Sequence, residues 1–196
     1  MVNSPSNEHI ATIYKFCAQS MHYPEPSWLN ENFLSSLYKL LEALEGSSEI
    51  EKLKIAINES DDFLEDLQVE HTRLFINGVP HVAAPPYGSV YIDKSLQGKY
   101  TEDVLMYYHS LGYTITEDAD FPDNLIHQLE FLALLAEEEN IEAEKEFLSR
   151  FFLPWYHVFS QLVKKEYQHP FYYVIINIID FFTQEEKEYG VQLNEA

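Results

Sequence analysis

From Glu70 to Asp93 the chain reads EHTRLFINGVPHVAAPPYGSVYID, and this stretch most restricts how the whole can fold. Pro80, Pro85 and Pro86 lack backbone donors and fix φ, so no helix continues through them, while Asn77-Gly78 signals a tight turn. The amphipathic run closed by Leu74 and Phe75 must therefore give way to extended backbone. Pro86-Tyr87-Gly88-Ser89 sets an aromatic ring beside a stiff Pro-Pro pair and a flexible glycine. That composition suits a fixed apolar wall flanked by polar groups, able to grip a peptide. Taken by itself, the composition better suits a long connection between helices whose aromatic residues fill gaps in the core.

Elsewhere the apolar residues recur at helical spacing. Ile10, Ile13, Tyr14, Cys17 and Met21 predict a helix over 8–22, capped by Ser6 or Asn7 and ended by Tyr23-Pro24-Glu25-Pro26. Ser27 is the expected cap of a second helix with the stripe Leu29, Phe33, Leu37, Leu40, Leu41 and Leu44, and Gly46 its expected C′ residue. Ser48 and Glu51 form a capping-box pattern before a third run, and Ser60-Asp61-Asp62 opens a fourth carrying Leu67, His71, Leu74 and Phe75. His71, between Leu67 and Leu74, reads as a hydrogen-bonded core histidine.

After the proline loop, Ser89 to Asp93 reads as extended, and Thr101 as the cap of a helix that Gly112 ends. Thr114 to Pro122 is a second polar connection, and Pro122 fits the first turn of a strong helix with Leu125, Ile126, Leu129 and Leu132 on one face and Gln128 and Glu138 towards solvent. Residues 140–152 and 155–166 read as two helices separated by Pro154, and 171–188 as a last, buried one. The expected fold is all-α: a single domain over 1–196, a helical bundle with a long proline-rich connecting loop.

Charge narrows the functional classes. Twelve Lys+Arg against 33 Asp+Glu leave a formal charge of −21, which disfavours nucleic acid and anionic membranes and favours a basic peptide. Phe171 to Phe182 is too short and too interrupted by Asn177 and Asp180 to span a bilayer, so no stable membrane insertion is expected. The N-terminus lacks the pattern of an export signal, which gives a cytoplasmic location as the expectation. A single cysteine, Cys17, excludes an intramolecular disulfide and a cysteine-based zinc cluster within one chain. No phosphate-binding loop, dinucleotide fingerprint, nucleophile elbow or H-E-x-x-H is present, and the histidines are scattered, so no cofactor, metal or catalytic residue is expected. A small helical enzyme or nucleotide-regulated switch is the alternative, and a general acidic interaction module a third.

Several segments, taken together and in order, carry a resemblance. Arg73-Leu74-Phe75 followed by Pro85-Pro86-Tyr87-Gly88-Ser89-Val90-Tyr91, then Phe121-Pro122-Asp123-Asn124 leading into Leu129-Glu130-Phe131-Leu132, then Leu153-Pro154-Trp155 and His169-Pro170-Phe171-Tyr172, resemble the TorD/DmsD (NarJ-related) chaperones of molybdenum-dependent oxidoreductases. The resemblance runs over roughly residues 8–185. Asn124 stands where the family usually has histidine, and Tyr87 where many members have tryptophan. What the resemblance implies is a cytoplasmic, non-enzymatic assembly chaperone. Its partners would be the twin-arginine leader and the apo catalytic subunit of such an enzyme, held back from export until cofactor loading and folding are complete. By the same resemblance Phe75, Pro86, Tyr87 and Ser89 form one side of a leader groove and Asp123 with Asn124 the other, with Asp123 accepting from an arginine. Whether the chain is a monomer or a helix-swapped dimer is left open.

Overall fold

A computed structural model describes the backbone of residues 7–79, 81–116 and 118–192, with side chains to Thr183. Ser6 and Pro80, two residues used in the sequence reading, lie outside the described residues. The helices, in order, are α1 (Asn7–Met21), α2 (Glu31–Ala43), α3 (Ser47–Glu59), α4 (Phe63–His71), α5 (Gly88–Ile92), α6 (Lys99–Ser110), α7 (Leu125–Glu137), α8 (Ile141–Phe147), α9 (Leu153–Glu166) and α10 (Pro170–Gln192). No strand occurs among the described residues, as the all-α expectation requires; a lone antiparallel bridge joins Tyr87 to Asn124. None of these helices is long and apolar enough to cross a membrane.

α1 lies along α7, and α9 and α10 pack around them. Leu129, Leu132, Trp155, Phe159, Tyr172 and Ile175 are completely or almost completely buried at the centre. Here the three- and four-residue spacing of apolar positions was an accurate guide, because two or more neighbours cover the stripe of each helix. Among the buried polar groups, His71 packs inside as expected, its Nε2 3.1 Å from the Met21 carbonyl.

Several helix ends differ from the sequence reading. Asn30, not Ser27, caps α2, accepting from the amides of Asn32 and Phe33. The same helix ends on Glu45 at φ 58°, with Gly46 N–H reaching the Leu41 carbonyl, so the left-handed C′ residue is Glu45 and Gly46 instead precedes α3. No side chain caps α3, so Ser48 and Glu51 do not form a capping box. Thr101 is buried inside α6, which starts after Gly98, while Gly112 does take the left-handed turn beyond it at φ 87°.

Two larger differences concern continuity. Ser89 to Asp93, read as extended, lies mostly within α5, packed on α9, where tertiary contact overrides the β-preference of Val90, Tyr91 and Ile92. Pro154 does not interrupt the helical path. A π turn over Leu148–Phe152 joins α8 to α9, the Leu153 N–H reaches back to the Leu148 carbonyl, and Pro154 falls in the first turn of α9. A second π turn, Thr72–Ile76, extends α4 to the start of the proline loop.

Candidate functional site

The loop and the start of α7 are fastened by reciprocal backbone bonds. Gly88 N–H donates to the Asp123 carbonyl at 3.0 Å and Leu125 N–H to the Pro86 carbonyl at 2.9 Å. This clasp depends on Gly88: a Cβ there would lie 2.3 Å from Tyr100 Cε1 and 3.0 Å from Trp155 Nε1. Beneath it Trp155 donates to Gln128 Oε1 at 3.1 Å, so Gln128, expected at the surface, is fully buried and braces α7 against α9. From α6, the Tyr108 hydroxyl donates to the Pro122 carbonyl at 3.1 Å. The other end of the loop is tied by Ala84 N–H to the Leu74 carbonyl at 2.8 Å.

A further clamp holds the α9–α10 turn. Glu70, 3 % exposed, accepts from the Gln168 and His169 amides at 2.6 and 3.1 Å and takes Arg73 in a two-bond pairing at 2.9 and 3.1 Å. Arg73, one of the residues that carry the resemblance, is thus committed to holding the fold.

Between the end of α1, the π turn after α4, the proline loop and the start of α7 lies a cavity of about 330 Å³. Met21, Phe75, Ile76, Pro86 and Leu125 give it apolar walls, with Tyr23, His71, Tyr87, Asp120, Asn124 and Ile126 completing it. Tyr23 and Ile76 are exposed at 42 % and 55 %, an apolar mouth open to solvent. Phe75 is 5 % exposed and meets His71 and Tyr172 edge-on, each with ring centroids 5.1 Å apart, so it is both core and cavity wall. Burial lowers the basicity of His71 and holds it neutral against this aromatic floor.

Among the described residues one carboxylate reaches this cavity, that of Asp120. Its Oδ2 accepts from the Tyr87 hydroxyl at 2.7 Å and from Asn124 Nδ2 at 3.0 Å, and its Oδ1 from the Phe121 amide at 2.7 Å. Burial and this neighbouring carboxylate push the Tyr87 hydroxyl up to about 12, so it stays a donor. Asn124 also caps α7, its Oδ1 accepting from Ile126 N–H at 2.8 Å. Helix α7 therefore starts after Pro122, which lies outside the first turn where the sequence placed it.

Of the six candidate binding residues, the structure brings Phe75, Pro86, Tyr87 and Asn124 together around the cavity and leaves two outside it. Asp123 is 0 % exposed, and its Oδ2 accepts the Ser89 N–H at 2.7 Å. A carboxylate enclosed this way cannot meet an arginine from solvent, which corrects its assigned role. Ser89 is also 0 % exposed, with its Oγ accepting from the Gln97 amide at 3.2 Å, so it fastens the loop and does not line the groove. Sequence reasoning missed Asp120, Met21, Tyr23 and His71 as wall residues. The one signal for Asp120 was its spacing of four from Asn124, which lets the two side chains meet across the turn before α7. Among the described residues no group of histidine, cysteine and acidic side chains is arranged to hold a metal ion.

Comparison with known proteins places this geometry in context. No match is found among curated protein sequences. The fold is similar to the crystal structure of a candidate redox enzyme maturation protein from Archaeoglobus fulgidus, with a TM-score of 0.60 and 24% identity over 95% of this chain and 97% of that one. The family model for the nitrate reductase delta subunit matches residues 30–161, which take in the proline loop, the clasp and most of the cavity wall. On that match the chain belongs to the nitrate reductase delta subunit family, a family of redox-enzyme maturation chaperones.

Proposed function

We propose that this maturation chaperone binds the twin-arginine leader and the apo catalytic subunit of a molybdenum-dependent oxidoreductase, and keeps the subunit from export until it is loaded and folded. The observation that carries the reading is the meeting, in one cavity, of apolar walls with the rim carboxylate of Asp120. A leader presents guanidinium groups followed by an apolar run. A planar guanidinium matches a carboxylate with two parallel hydrogen bonds, and the apolar run has Tyr23, Phe75, Ile76 and Pro86 to cover. Asp120 takes the acceptor role, in place of the buried Asp123. With a formal charge of −21, the surrounding surface would speed the encounter with a basic segment.

The Tyr87 hydroxyl and Asn124 amide hold the Asp120 carboxylate at the rim before a ligand arrives. Pre-setting an acceptor lowers the ordering cost of binding. The test is calorimetric titration at two salt concentrations with a twin-arginine leader peptide, the same peptide carrying Lys-Lys, and the Tyr87→Ala protein. Saturable binding that weakens about tenfold for Lys-Lys and for Tyr87→Ala is expected. Weak, equal binding of both peptides that vanishes at moderate salt would reduce the interaction to general attraction by an acidic surface.

A further inference from the structure

The connection between α6 and α7 forms a wall between two cavities. Ala119 and Asp120 are neighbours in sequence yet line different cavities, and so do Ile126 and His127. The second cavity has a volume of about 230 Å³, and its walls include Tyr108, Thr116, Ala119, His127, Glu130 and Leu134. Each cavity is largely apolar and holds one carboxylate, Asp120 in the first and Glu130 in the second, and among the described residues neither is lined by a lysine or arginine.

Glu130 is suited to take a cation. Its side chain is 50% exposed, and its present partner is an imidazole, His127 Nδ1, at 3.1 Å. That hydrogen bond holds the Glu130 carboxyl below the usual carboxylate range. Asp120 is bonded to Asn124 at the head of α7, and with a rise of about 1.5 Å per residue Glu130 follows about 9 Å further along the helix axis.

Successive side chains of an extended peptide point to opposite sides. A peptide crossing the wall at Ala119 and Asp120 would drop two consecutive side chains one into each cavity. We infer that the two cavities form a straddled pair of subsites for two consecutive arginines, Asp120 accepting one guanidinium and Glu130 the other. This rests on the reading of the Tyr87 cavity as a leader site and adds a second subsite, which makes affinity depend on the adjacency of the two arginines and not on positive charge alone.

The test uses four synthetic peptides with the same Leu-Ala run, preceded by Arg-Arg, Arg-Ala, Ala-Arg or Arg-Ala-Arg, titrated into the wild-type protein, Glu130→Gln and Tyr87→Ala, with thermal melts to confirm that each variant is folded. The wild type should bind Arg-Arg about fivefold more tightly than any of the other three, the gain expected of one additional half-exposed ion pair. Glu130→Gln should bring Arg-Arg down to the single-arginine level and leave Arg-Ala unchanged. If Glu130→Gln binds Arg-Arg as the wild type does while Tyr87→Ala is weakened, the second subsite is overturned and the first cavity stands. Equal affinity for Arg-Ala-Arg and Arg-Arg overturns the straddle. If no peptide binds the wild type, both the subsite and the leader reading fall together.

Discussion

Asp120 and Asp123 belong to the same short turn and both receive hydrogen bonds from the proline loop, yet their surroundings are opposite. Asp123 is sealed within the fold and holds the Ser89 amide; Asp120 stands at the cavity rim, exposed, holding a tyrosine hydroxyl. In the sealed position water cannot replace a lost partner, so the bond is integral to the structure. At the rim, water or an incoming guanidinium can take the place of Tyr87 at little net cost, because such bonds exchange for others of similar strength. The acid in the family-like motif thus fastens the fold, and the acid just outside the motif is the one that reaches the cavity rim.

The hardest test of this division is Asp123→Ala. It leaves the Ser89 N–H buried without an acceptor and loosens the clasp, with an expected loss of about 2–3 kcal/mol in urea unfolding. For a chain of this length that corresponds to roughly 5–10 °C in Tm. A variant that melts with the wild type would show that the backbone bonds of Gly88 and Leu125 hold the clasp unaided, and the distinction between the two acids would fail.

The difference between these acids also shows what could be read from sequence. Periodicity located the buried faces of α1, α2, α7 and α10 because burial on one side is a repeated constraint. It could not fix where α7 begins. Taking Pro122 as the first turn puts Asp123 near the helix dipole and in solvent, whereas capping by Asn124 leaves Asp123 before the helix and turned inward. A shift of a few residues in one helix start decides which of the two carboxylates is buried and which reaches the cavity. The burial of Gln128 was illegible for a related cause: its partner, Trp155, comes from a distant helix that no local pattern reports. The continuity around Pro154 was hidden because a π turn has a different register of carbonyls, which local spacing does not reveal.

Two buried histidines, His71 on the cavity floor and His169 in the α9–α10 turn, should make stability respond to acid. Burial lowers the folded-state pKa of both His71 and His169 from 6.5. Their unfolded forms therefore bind protons that the folded forms resist, and the stability they contribute is present above about pH 6.5 and lost as pH falls further. Urea midpoints should drop between pH 7.5 and 5.5, and His71→Gln, whose amide can still reach the Met21 carbonyl, should flatten that drop. An unchanged slope in the variant would mean that His71 titrates normally and that the cavity floor is wetter than its burial implies.

The smallest effect on stability, and the sharpest on the comparison, is expected from Asp120→Asn. The amide oxygen can still accept from Tyr87 and Asn124, and the Phe121 N–H that loses its acceptor is exposed and can turn to water, so the change in unfolding free energy should fall within about 0.5 kcal/mol. The same substitution removes the anionic half of a charge-assisted pairing, and binding of an arginine-bearing leader peptide should weaken about tenfold or more. Stability and binding would then separate cleanly: Asp123→Ala lowers Tm, and Asp120→Asn lowers affinity at constant Tm. If Asp120→Asn instead melts early and binds normally, the rim carboxylate is one more structural member of the clasp, and the cation's acceptor must be sought at Glu130 alone.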